Sequence, residues 1–412
     1  MTAYGLLGRT LGHSFSPQIH AALGNNDYSL IEREPEELDD FFHDPSWKGI
    51  NVTIPYKETV MPYCDEIDGK ARAIGCVNTI IRRADGSLFA TNTDYDGLSW
   101  ALDHAGITVN GRKCLLLGNG ATSRTIRAVL SHKAAGEVVQ FGRHNAVPYE
   151  DIDKHRDAQV ILNATPVGMF PHTPNSLISL SGLDRLQSVF DVIYNPHRTR
   201  LLLDARAKGL AICDGLPMLV AQAAFAAHYF TGLASPEEKI LPVLGELRRE
   251  LDNIVLIGMP GVGKSKVGET VAGLTGRTFI DIDTRLNKEL GAIDTFIRQK
   301  GEAAFREAEH RIINEIGKSH GLVIATGGGA VTRPDNYAPL AQNGRIYWLE
   351  RPLEVLSTTG RPLSEGGLDA LRRLYSAREP LYRAFCDVRI DHNGIERSAR
   401  RITEEFYEAM HH

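Results

Sequence analysis

The chain contains few cysteines, and it has no long apolar run free of polar residues. Its five cysteines are scattered over 412 residues without a C-x-x-C pair, which argues against a zinc site or a disulfide framework. The most apolar stretch, 216–234, includes Gln222 and His228 and is predicted to be a packed helix rather than a membrane span. Residues 1–12 lack the charged and apolar regions of a signal peptide. We therefore expect a cytoplasmic protein that does not bind a membrane.

The chain also lacks an excess of positive charge. Its net charge is −5 and it has no basic cluster, which argues against a nucleic-acid partner. At 412 residues it is too long for a single core, so two or three domains are expected. Strand-like and helix-like segments alternate throughout, which favours an α/β fold with parallel sheets. The predicted domains are 1–100 (completed by helices at about 217–245), 101–216 and 254–412, with the end of a helix and a short linker at 246–253. The oligomeric state stays open.

Residues 258–265 form the pattern G-x-x-x-x-G-K-S between a predicted strand, 254–257, and a predicted helix beginning at Lys266. In such a loop the glycines let backbone N–H groups surround a triphosphate. Lys264 would place its charge at the β and γ oxygens, and Ser265 would offer a hydroxyl to Mg²⁺. A glycine-rich turn without a ligand is the alternative, but the strand–loop–helix context disfavours it. The sequence therefore predicts a nucleotide site in the C-terminal part.

Charged residues and glycines follow this loop. The predicted strand 279–283 ends in Asp281 and Asp283, which alternation would place on one face, one for Mg²⁺ and one for a substrate. A predicted helix over 301–309 places Arg306 and Glu309 one turn apart, a spacing also typical of a surface ion pair. Three glycines at 327–329 would allow a ligand to approach the backbone closely.

A second glycine-rich turn occupies residues 118–123 and has the pattern G-x-G-x-x-S. It follows the apolar run 114–117 and precedes a predicted helix to Leu130, the context of a dinucleotide-binding turn, although an ordinary βα turn has the same appearance. The next predicted strand, 137–141, is followed by Arg143. An NAD-binding fold would usually carry an acid there, whereas arginine fits the 2′-phosphate of NADP. A solvated surface arginine is the alternative.

Small polar residues recur before this turn, at 14–16, 51–57, 75–79 and 92–94. Hydroxyls, amides and single charges at strand ends suit a hydroxylated, anionic small molecule. Each string alone is also typical of caps and turns, and Ser16 before a proline is predicted equally well as a helix N-cap.

Together with 163–169, 191–196 and 215–222, these strings resemble the shikimate dehydrogenase family over about the first 245 residues. The resemblance implies a two-lobed α/β fold with a Rossmann NADP lobe, and NADPH-dependent reduction of 3-dehydroshikimate. It implies that Lys57 and Asp94 are the catalytic pair beside the C3 oxygen, and that Ser14 and Ser16 hold the substrate carboxylate. The ring hydroxyls would be held by Asn51, Thr53, Asn78, Tyr194 and Gln222. The cofactor would be lined by Gly118, Asn119, Gly120, Ala121, Arg143, Thr165, Val192 and Gly215.

This part of the chain departs from the family pattern in two places. The glycine turn continues as Ala121-Thr122, where the family usually has glycine and alanine. Of the family's NADP-reading segment, only Arg143 with the following His144 remains. Use of NAD, or of quinate as substrate, therefore stays an alternative.

Residues from about 252 to 412 resemble the shikimate kinase family, which implies a P-loop α/β domain with a central parallel sheet, and MgATP as the phosphoryl donor. The implied shikimate contacts are Asp283 (also catalytic), Arg306, Gly328 and Arg378. The implied ATP contacts are Gly261, Val262, Gly263, Lys264, Ser265, Lys266 and the lid residue Arg361. The implied metal-side residues are Ser265 and Asp281. The lid is short, and a second arginine often found ahead of Arg361 is absent.

The two resemblances concern successive enzymes, which predicts one chain that makes shikimate and then phosphorylates it. Its cofactors would be NADP(H), ATP and Mg²⁺, and its partners the small molecules 3-dehydroshikimate and shikimate. The alternative from another class is a regulator of the same folds that binds pathway metabolites without turnover. That alternative is disfavoured because the chain keeps Lys57, Asp94, Lys264, Ser265 and Asp283.

Overall fold

The computed structural model describes residues 3–12, 14–171, 173, 175–356 and 367–410. The chain divides into two compact units, Met1–Leu244 and Gly245–His412, here called the N-terminal and C-terminal units. The predicted lid residue Arg361 lies outside the described residues. Within the described ranges, no helix is long and apolar enough to cross a membrane.

The strands are β1 Tyr4–Gly8, β2 Tyr28–Glu32, β3 Gly49–Val52, β4 Glu66–Ile67, β5 Thr79–Arg82, β6 Leu88–Thr91, β7 Cys114–Leu117, β8 Val138–Phe141, β9 Val160–Asn163, β10 Ser188–Asp191, β11 Ala211–Cys213, β12 Asn253–Ile257, β13 Thr278–Asp281, β14 Leu322–Ala325, β15 Gly344–Glu350 and β16 Val388–Asp391. The helices are α1 Ser16–Ala22, α2 Leu38–His43, α3 Gly69–Ile74, α4 Thr93–His104, α5 Ala121–His132, α6 Arg200–Ala207, α7 Gly215–Thr231, α8 Pro236–Leu251, α9 Lys264–Thr275, α10 Ile282–Leu290, α11 Ile293–Lys300, α12 Glu302–Ile316, α13 Tyr337–Ala341, α14 Gly367–Phe385 and α15 Ile395–Ala409.

The first sheet of the N-terminal unit is mixed, with the order β2-β1-β3-β5-β6-β4. Strands β1, β2 and β3 are parallel, but β5 pairs antiparallel with both β3 and β6. Parallel pairing therefore covers only part of this sheet. The reason is the short connection between β5 and β6, which contains Gly86 at φ +89°. A turn of this length joins antiparallel strands, whereas a parallel pair needs a long crossover.

The second sheet of the N-terminal unit is parallel throughout, with the order β11-β10-β9-β7-β8. Both of its faces are buried: Cys114 and Leu116 of β7 enter one hydrophobic cluster, and Leu115 and Leu117 enter another. This explains why β7 is a continuous apolar run rather than an alternating one. Turns that follow β7, β8 and β9 therefore meet at one edge of the sheet.

The C-terminal unit contains a parallel sheet with the order β13-β14-β12-β15-β16. Its central strand, β12, is entirely buried. The phosphate-loop residues follow β12, while Asp281 ends β13 and Thr326 follows β14. Because the carboxyl ends of parallel strands share one edge of the sheet, these segments converge there.

Most of the segment 246–253 is the end of a helix, because α8 continues through Leu251. Leu247 and Leu251 are one turn apart and only 1% and 7% exposed. Arg277 donates hydrogen bonds to the backbone carbonyls of Arg249 and Asp252. Burial of this apolar face keeps the segment helical, and it belongs to the C-terminal unit.

Two candidate active sites

Lys57 and Asp94 form an ion pair in the N-terminal unit, with 2.5 Å between Nζ and Oδ2. Lys57 follows β3, and Asp94 lies in the first turn of α4, which Asn92 caps by accepting a hydrogen bond from the N–H of Tyr95. Only 12% and 11% of the two side chains are exposed. This limited exposure excludes an ordinary surface ion pair. An ammonium group and a carboxylate therefore lie together in a largely buried position, where they can exchange protons with a bound ligand.

Asn78 and Gln222 lie beside this pair and are both buried. Asn78 Oδ1 accepts a hydrogen bond of 2.7 Å from the N–H of Thr93, the residue before Asp94, and Asn78 Nδ2 lies 3.4 Å from Gln222 Oε1. Helices α4 and α7 pack closely at Gly97, where a Cβ would come within 2.8 Å of the Gln222 backbone nitrogen. The structure therefore brings Asn78 and Gln222 together with the predicted catalytic pair.

Ser14 and Ser16 are adjacent at the start of α1, with 3.1 Å between their hydroxyl oxygens. The N-cap of this helix is Phe15 and no side chain caps it, so the interpretation of Ser16 as an N-cap is wrong. The ring of Phe15 packs on that of Tyr194 at 5.6 Å between centroids, and burial raises the pKa of Tyr194. The two hydroxyls bond to each other and keep capacity for a further hydrogen bond to a ligand. Thr53 follows β3 and is half-buried.

Asn51 does not have a free group for a ring hydroxyl. Its Oδ1 accepts hydrogen bonds from Tyr28 at 2.8 Å and from the His20 ring at 3.2 Å. Its Nδ2 donates to the carbonyl of Asn78 at 3.2 Å and to Thr79 Oγ1 at 3.0 Å. These four bonds use the hydrogen-bonding capacity of the Asn51 side chain. They count against its contact with a ring hydroxyl, which stays a prediction. Asn51 instead positions Asn78.

The predicted cofactor turn brings three loops together at the edge of the second sheet. Gly118 has φ +113°, and a Cβ there would lie 3.0 Å from Thr165 Cγ2. Asn119 donates a hydrogen bond of 2.8 Å to the carbonyl of His144. Gly120 is the N-cap of α5, which begins at Ala121. Free N–H groups at a helix start suit a pyrophosphate. The residues therefore fit a dinucleotide, and the exposed Arg143 lies in the same loop as His144.

Gly215 lies against Val192 on the other side of this edge. A Cβ at Gly215 would overlap the carbonyl oxygen of Val192, so only glycine allows this approach. The approach brings both predicted cofactor residues to one place, where α7 begins.

Three polar residues that hold the cofactor turn were missed as site residues in the sequence. Asn163 Oδ1 accepts hydrogen bonds from the N–H and hydroxyl of Thr165, at 3.0 and 2.8 Å. Asp191 accepts from Asn163 Nδ2 at 2.9 Å, and burial raises the pKa of Asp191 to about 7. Gln140 Nε2 donates to the carbonyl of Gly118 at 2.9 Å. In the sequence, the signal for these residues was a polar side chain within or at the end of an otherwise apolar strand.

The phosphate loop of the C-terminal unit has the geometry of a nucleotide site. Gly258, Gly261 and Gly263 have positive φ values of +145°, +82° and +107°, which glycine tolerates best. Lys264 is 8% exposed, and its Nζ donates to the carbonyls of Gly258 and Met259 at 2.8 and 3.1 Å. The ammonium therefore lies over the loop that would surround a triphosphate, with Val262 buried and Lys266 exposed beside it.

Asp281 and Asp283 do not share one strand face. Strand β13 ends at Asp281, which caps α10 by accepting a hydrogen bond of 2.9 Å from the N–H of Thr284. Asp283 is consequently on the helix. The other oxygen of Asp281 lies 2.6 Å from Ser265 Oγ, so these two predicted metal-side residues meet. A hydroxyl and a carboxylate beside a phosphate loop are a donor set that fits Mg²⁺.

Asp283 is exposed and lies instead beside a group of charged side chains around residues 327–329, of which Glu309 and Arg378 are buried. A Cβ at Gly327 would come within 2.8 Å of Asp283 Oδ1 and 2.5 Å of Glu309 Oε1. A Cβ at Gly329 would overlap the Arg306 guanidinium. The carbonyl of Gly328 accepts a hydrogen bond of 3.0 Å from Arg378 Nη1. The glycines therefore admit charged side chains, and the predicted acid and both predicted arginines converge.

Glu309 is a second acid of this group that was not predicted as a site residue. It is fully buried and lies 2.8 Å from Arg306 Nη1, so the interpretation as a surface ion pair is wrong. Burial raises the pKa of Glu309 despite the nearby Arg306. For Arg306, burial lowers the pKa but Glu309 and Glu302 outweigh it, and the net shift is upward. In the sequence, the i,i+3 spacing of Glu309 and Arg306 was the signal that could have indicated Glu309 as a site residue.

Two family models match the chain. The model of the shikimate dehydrogenase substrate binding domain matches residues 6–80, and that of shikimate kinase matches residues 260–411.

Curated relatives and solved structures resemble part of the chain. A shikimate dehydrogenase (NADP(+)) of Clostridium perfringens is 33% identical over 264 residues, covering 58% of this chain and 97% of the relative. A chorismate mutase/shikimate 5-dehydrogenase fusion protein from Clostridium acetobutylicum gives a TM-score of 0.56 at 32% identity, covering 59% of this chain and 96% of that one. The shikimate 5-dehydrogenase of Thermus thermophilus, solved with NADP(H) and shikimate, gives 0.53 at 32% identity, covering 59% and 100%.

Proposed function

We propose two consecutive reactions for this chain, which belongs to the shikimate dehydrogenase family and carries a shikimate kinase domain at its C-terminal end. The first is NADPH-dependent reduction of 3-dehydroshikimate to shikimate in the N-terminal unit, hereafter the dehydrogenase unit. The second is MgATP-dependent phosphorylation of shikimate to shikimate 3-phosphate in the C-terminal unit, hereafter the kinase unit. The proposal rests on one observation. In each unit, polar and charged side chains suited to a small hydroxylated carboxylate lie beside a nucleotide-binding turn. A cytoplasmic location is part of the proposal and is favoured by the free cysteines.

In the dehydrogenase unit, Lys57 and Asp94 act on the ketone oxygen of the substrate. NADPH supplies the hydride when it is bound. Lys57 Nζ donates a proton to the alkoxide that develops, and Asp94 at 2.5 Å keeps the ammonium in position. Ser14 and Ser16 bind the carboxylate, while Asn78 holds a ring hydroxyl with Thr53, Tyr194 and Gln222.

In the kinase unit, Asp283 accepts the proton of the attacking shikimate hydroxyl. Arg306 and Arg378 hold the substrate carboxylate, in keeping with Arg geometry for carboxylate recognition. ATP supplies the phosphoryl group when it is bound. Lys264, whose ammonium lies over the loop, would contact the phosphate oxygens, and Ser265 with Asp281 would hold Mg²⁺.

The test supplies 3-dehydroshikimate, NADPH and MgATP to the purified chain and measures shikimate 3-phosphate. We expect the product to form only when all three are present, with shikimate accumulating when ATP is left out. A parallel reaction with NADH determines the cofactor, and one with quinate determines the substrate range. Failure of both half-reactions would contradict the proposal and favour a regulator that binds metabolites without turnover.

A further inference from the structure

Tyr382 is a fully buried residue of α14 that lies behind the predicted acceptor site of the kinase unit. Its hydroxyl donates a hydrogen bond of 2.5 Å to the backbone carbonyl of Gly328. Its ring stacks on that of Trp348 at 5.8 Å between centroids, so packing fixes the direction of the hydroxyl. Burial, opposed by the charge of Arg378, raises the pKa of Tyr382 to about 12. The hydroxyl therefore keeps its proton at neutral pH and remains a donor.

The carbonyl of Gly328 accepts from Tyr382 and from Arg378 at the same time. Arg378 Nη1 donates to it at 3.0 Å. The two donors are four residues apart on α14, a spacing that places both side chains on one face of a helix. A carbonyl oxygen has two lone pairs, so these two bonds use its capacity. Arg378 spends one of its five N–H groups in this way and keeps the others for a ligand carboxylate.

The phosphate loop holds Gly328 from the opposite side. A Cβ at Gly328 would lie 2.6 Å from the ring carbons of Pro260, so only glycine allows this approach of the two backbones. The Tyr382 hydroxyl also lies 3.9 Å from Met259 Sδ. The Gly328 carbonyl is thus confined between the phosphate loop and α14. Loss of the Tyr382 hydroxyl would leave one of its lone pairs without a donor and loosen the partner that orients Arg378.

We propose that Tyr382 is a positioning residue of the kinase unit, whose hydroxyl fixes the Gly328 carbonyl and thereby holds the Arg378 guanidinium in the orientation that binds the carboxylate of the acceptor. The inference rests on the proposed role of Arg378 in shikimate binding. Tyr382 acts through Gly328 and Arg378, and it does not itself contact the substrate. The bland alternative is a hydroxyl that only stabilises the core.

The test titrates shikimate into the full chain by isothermal titration calorimetry without any nucleotide. Each unit has a proposed shikimate site, so the isotherm is fitted with two Kd values. We expect Tyr382→Phe, which removes only the hydroxyl, to raise one Kd about three- to ten-fold and to leave the other unchanged. Tyr347→Phe is the matched control, because it removes a buried hydroxyl of the same unit that donates to Glu405 at 2.6 Å. It should change neither Kd.

A second variant tests whether Tyr382 acts through Arg378. Arg378→Lys keeps a positive charge but lacks the planar fork of the guanidinium. In that background, Tyr382→Phe should change the Kd by less than about two-fold, because the group that it orients is gone. In phosphorylation assays, Tyr382→Phe alone should raise the KM for shikimate by the same factor as the Kd and keep kcat within about two-fold of the wild type.

Two unchanged Kd values in Tyr382→Phe would overturn the inference. So would an equal effect of Tyr382→Phe in both backgrounds, or equal weakening in Tyr347→Phe, because the hydroxyl would then act on the stability of the core. A wild type that binds shikimate at two sites, one of them weakened by Tyr382→Phe, without phosphorylating it would refute the proposed kinase reaction and leave the role of Tyr382 intact.

Discussion

His20 and Asn51 show how buried polar residues organise the dehydrogenase site. His20 is fully buried, stacks on Tyr28 at 3.8 Å between ring centroids, and contacts Asn51 Oδ1 through Nε2. Its Nδ1 has no hydrogen-bond partner, so a second proton there would be a buried charge without compensation. Burial lowers the pKa of His20 to about 3, below its ordinary value of 6.5.

His20 should therefore make the dehydrogenase unit sensitive to acid. A depressed folded-state pKa means that the unfolded chain binds a proton that the folded chain does not, so stability present above pH 6.5 is lost as the pH falls towards about 3. We expect His20→Gln, which cannot titrate, to reduce the pH dependence of the unfolding free energy between pH 4 and 6 by about 1 kcal/mol per pH unit.

The measurement is urea unfolding followed by tryptophan fluorescence in a Trp348→Phe background, where Trp47 and Trp100 report on the dehydrogenase unit alone. His228→Gln serves as the control because that histidine is exposed. An unchanged slope in His20→Gln would contradict the assigned protonation state.

Single residues also show how far the sequence could define the site. The motifs that contain Lys57 and Asp94 predicted this pair. The proposed proton transfer depends on contact between the two side chains. Asn51 has the same kind of side chain as Asn78, but it faces His20 and Tyr28. Glu309 has the spacing of a surface pair yet is fully buried. Direction and burial depend on neighbours distant in the chain, which the sequence does not display.

At the scale of elements, the boundary between β13 and α10 changed the interpretation of nearby residues. Because Asp281 caps α10, the strand ends two residues earlier than alternation suggests. Asp281 and Asp283 then serve different neighbours, Ser265 in one case and the 327–329 segment in the other. Local capping thus competes with strand extension, and the side chain of Asp281 decides in favour of the helix.

Helix α8 leads to a prediction about where the kinase unit begins. A fragment 236–412 should fold, whereas a fragment 254–412 should be less stable by about 3 kcal/mol or more, because it loses the buried Leu247 and Leu251. Urea unfolding can be followed by the fluorescence of Trp348, the single tryptophan of both fragments. Equal stability of the two fragments would show that residues 236–253 do not stabilise the kinase unit.

A matched pair on the same helix separates burial from helix content. In fragment 236–412, Leu247→Ala should cost about 2–5 kcal/mol of unfolding free energy, because Leu247 is 1% exposed. Leu241→Ala removes the same side chain at a position that is 46% exposed and should cost about 0.5 kcal/mol or less. Equal effects would show that α8 is not packed as described.

At the scale of the whole molecule, the two proposed sites belong to separate compact units and share no assigned residue. Lys57→Ala should lower the rate of 3-dehydroshikimate reduction by about 10²–10⁴-fold, the usual contribution of a general acid, while shikimate phosphorylation continues. Lys264→Ala should lower phosphorylation on the order of 10²-fold or more and leave the reduction unchanged.

Both variants are assayed for both reactions in the same preparations, so each activity is the folding control for the other. Loss of both activities in one variant, without unfolding, would contradict the independence of the sites. Retention of both activities in both variants would show that the lysines are wrongly assigned.

The sequence by itself determined the α/β class, the phosphate loop and the dinucleotide turn, because each depends on local patterns of residue type. The two family resemblances added the pairing of related activities. Only the tertiary structure decided that the first sheet is mixed and that α8 extends to Leu251. It also decided that the Asn51 side chain uses its hydrogen-bonding capacity within the protein and that Glu309 is buried. Those facts depend on contacts between segments far apart in the chain, where packing and hydrogen-bond satisfaction select one arrangement among those that local patterns permit.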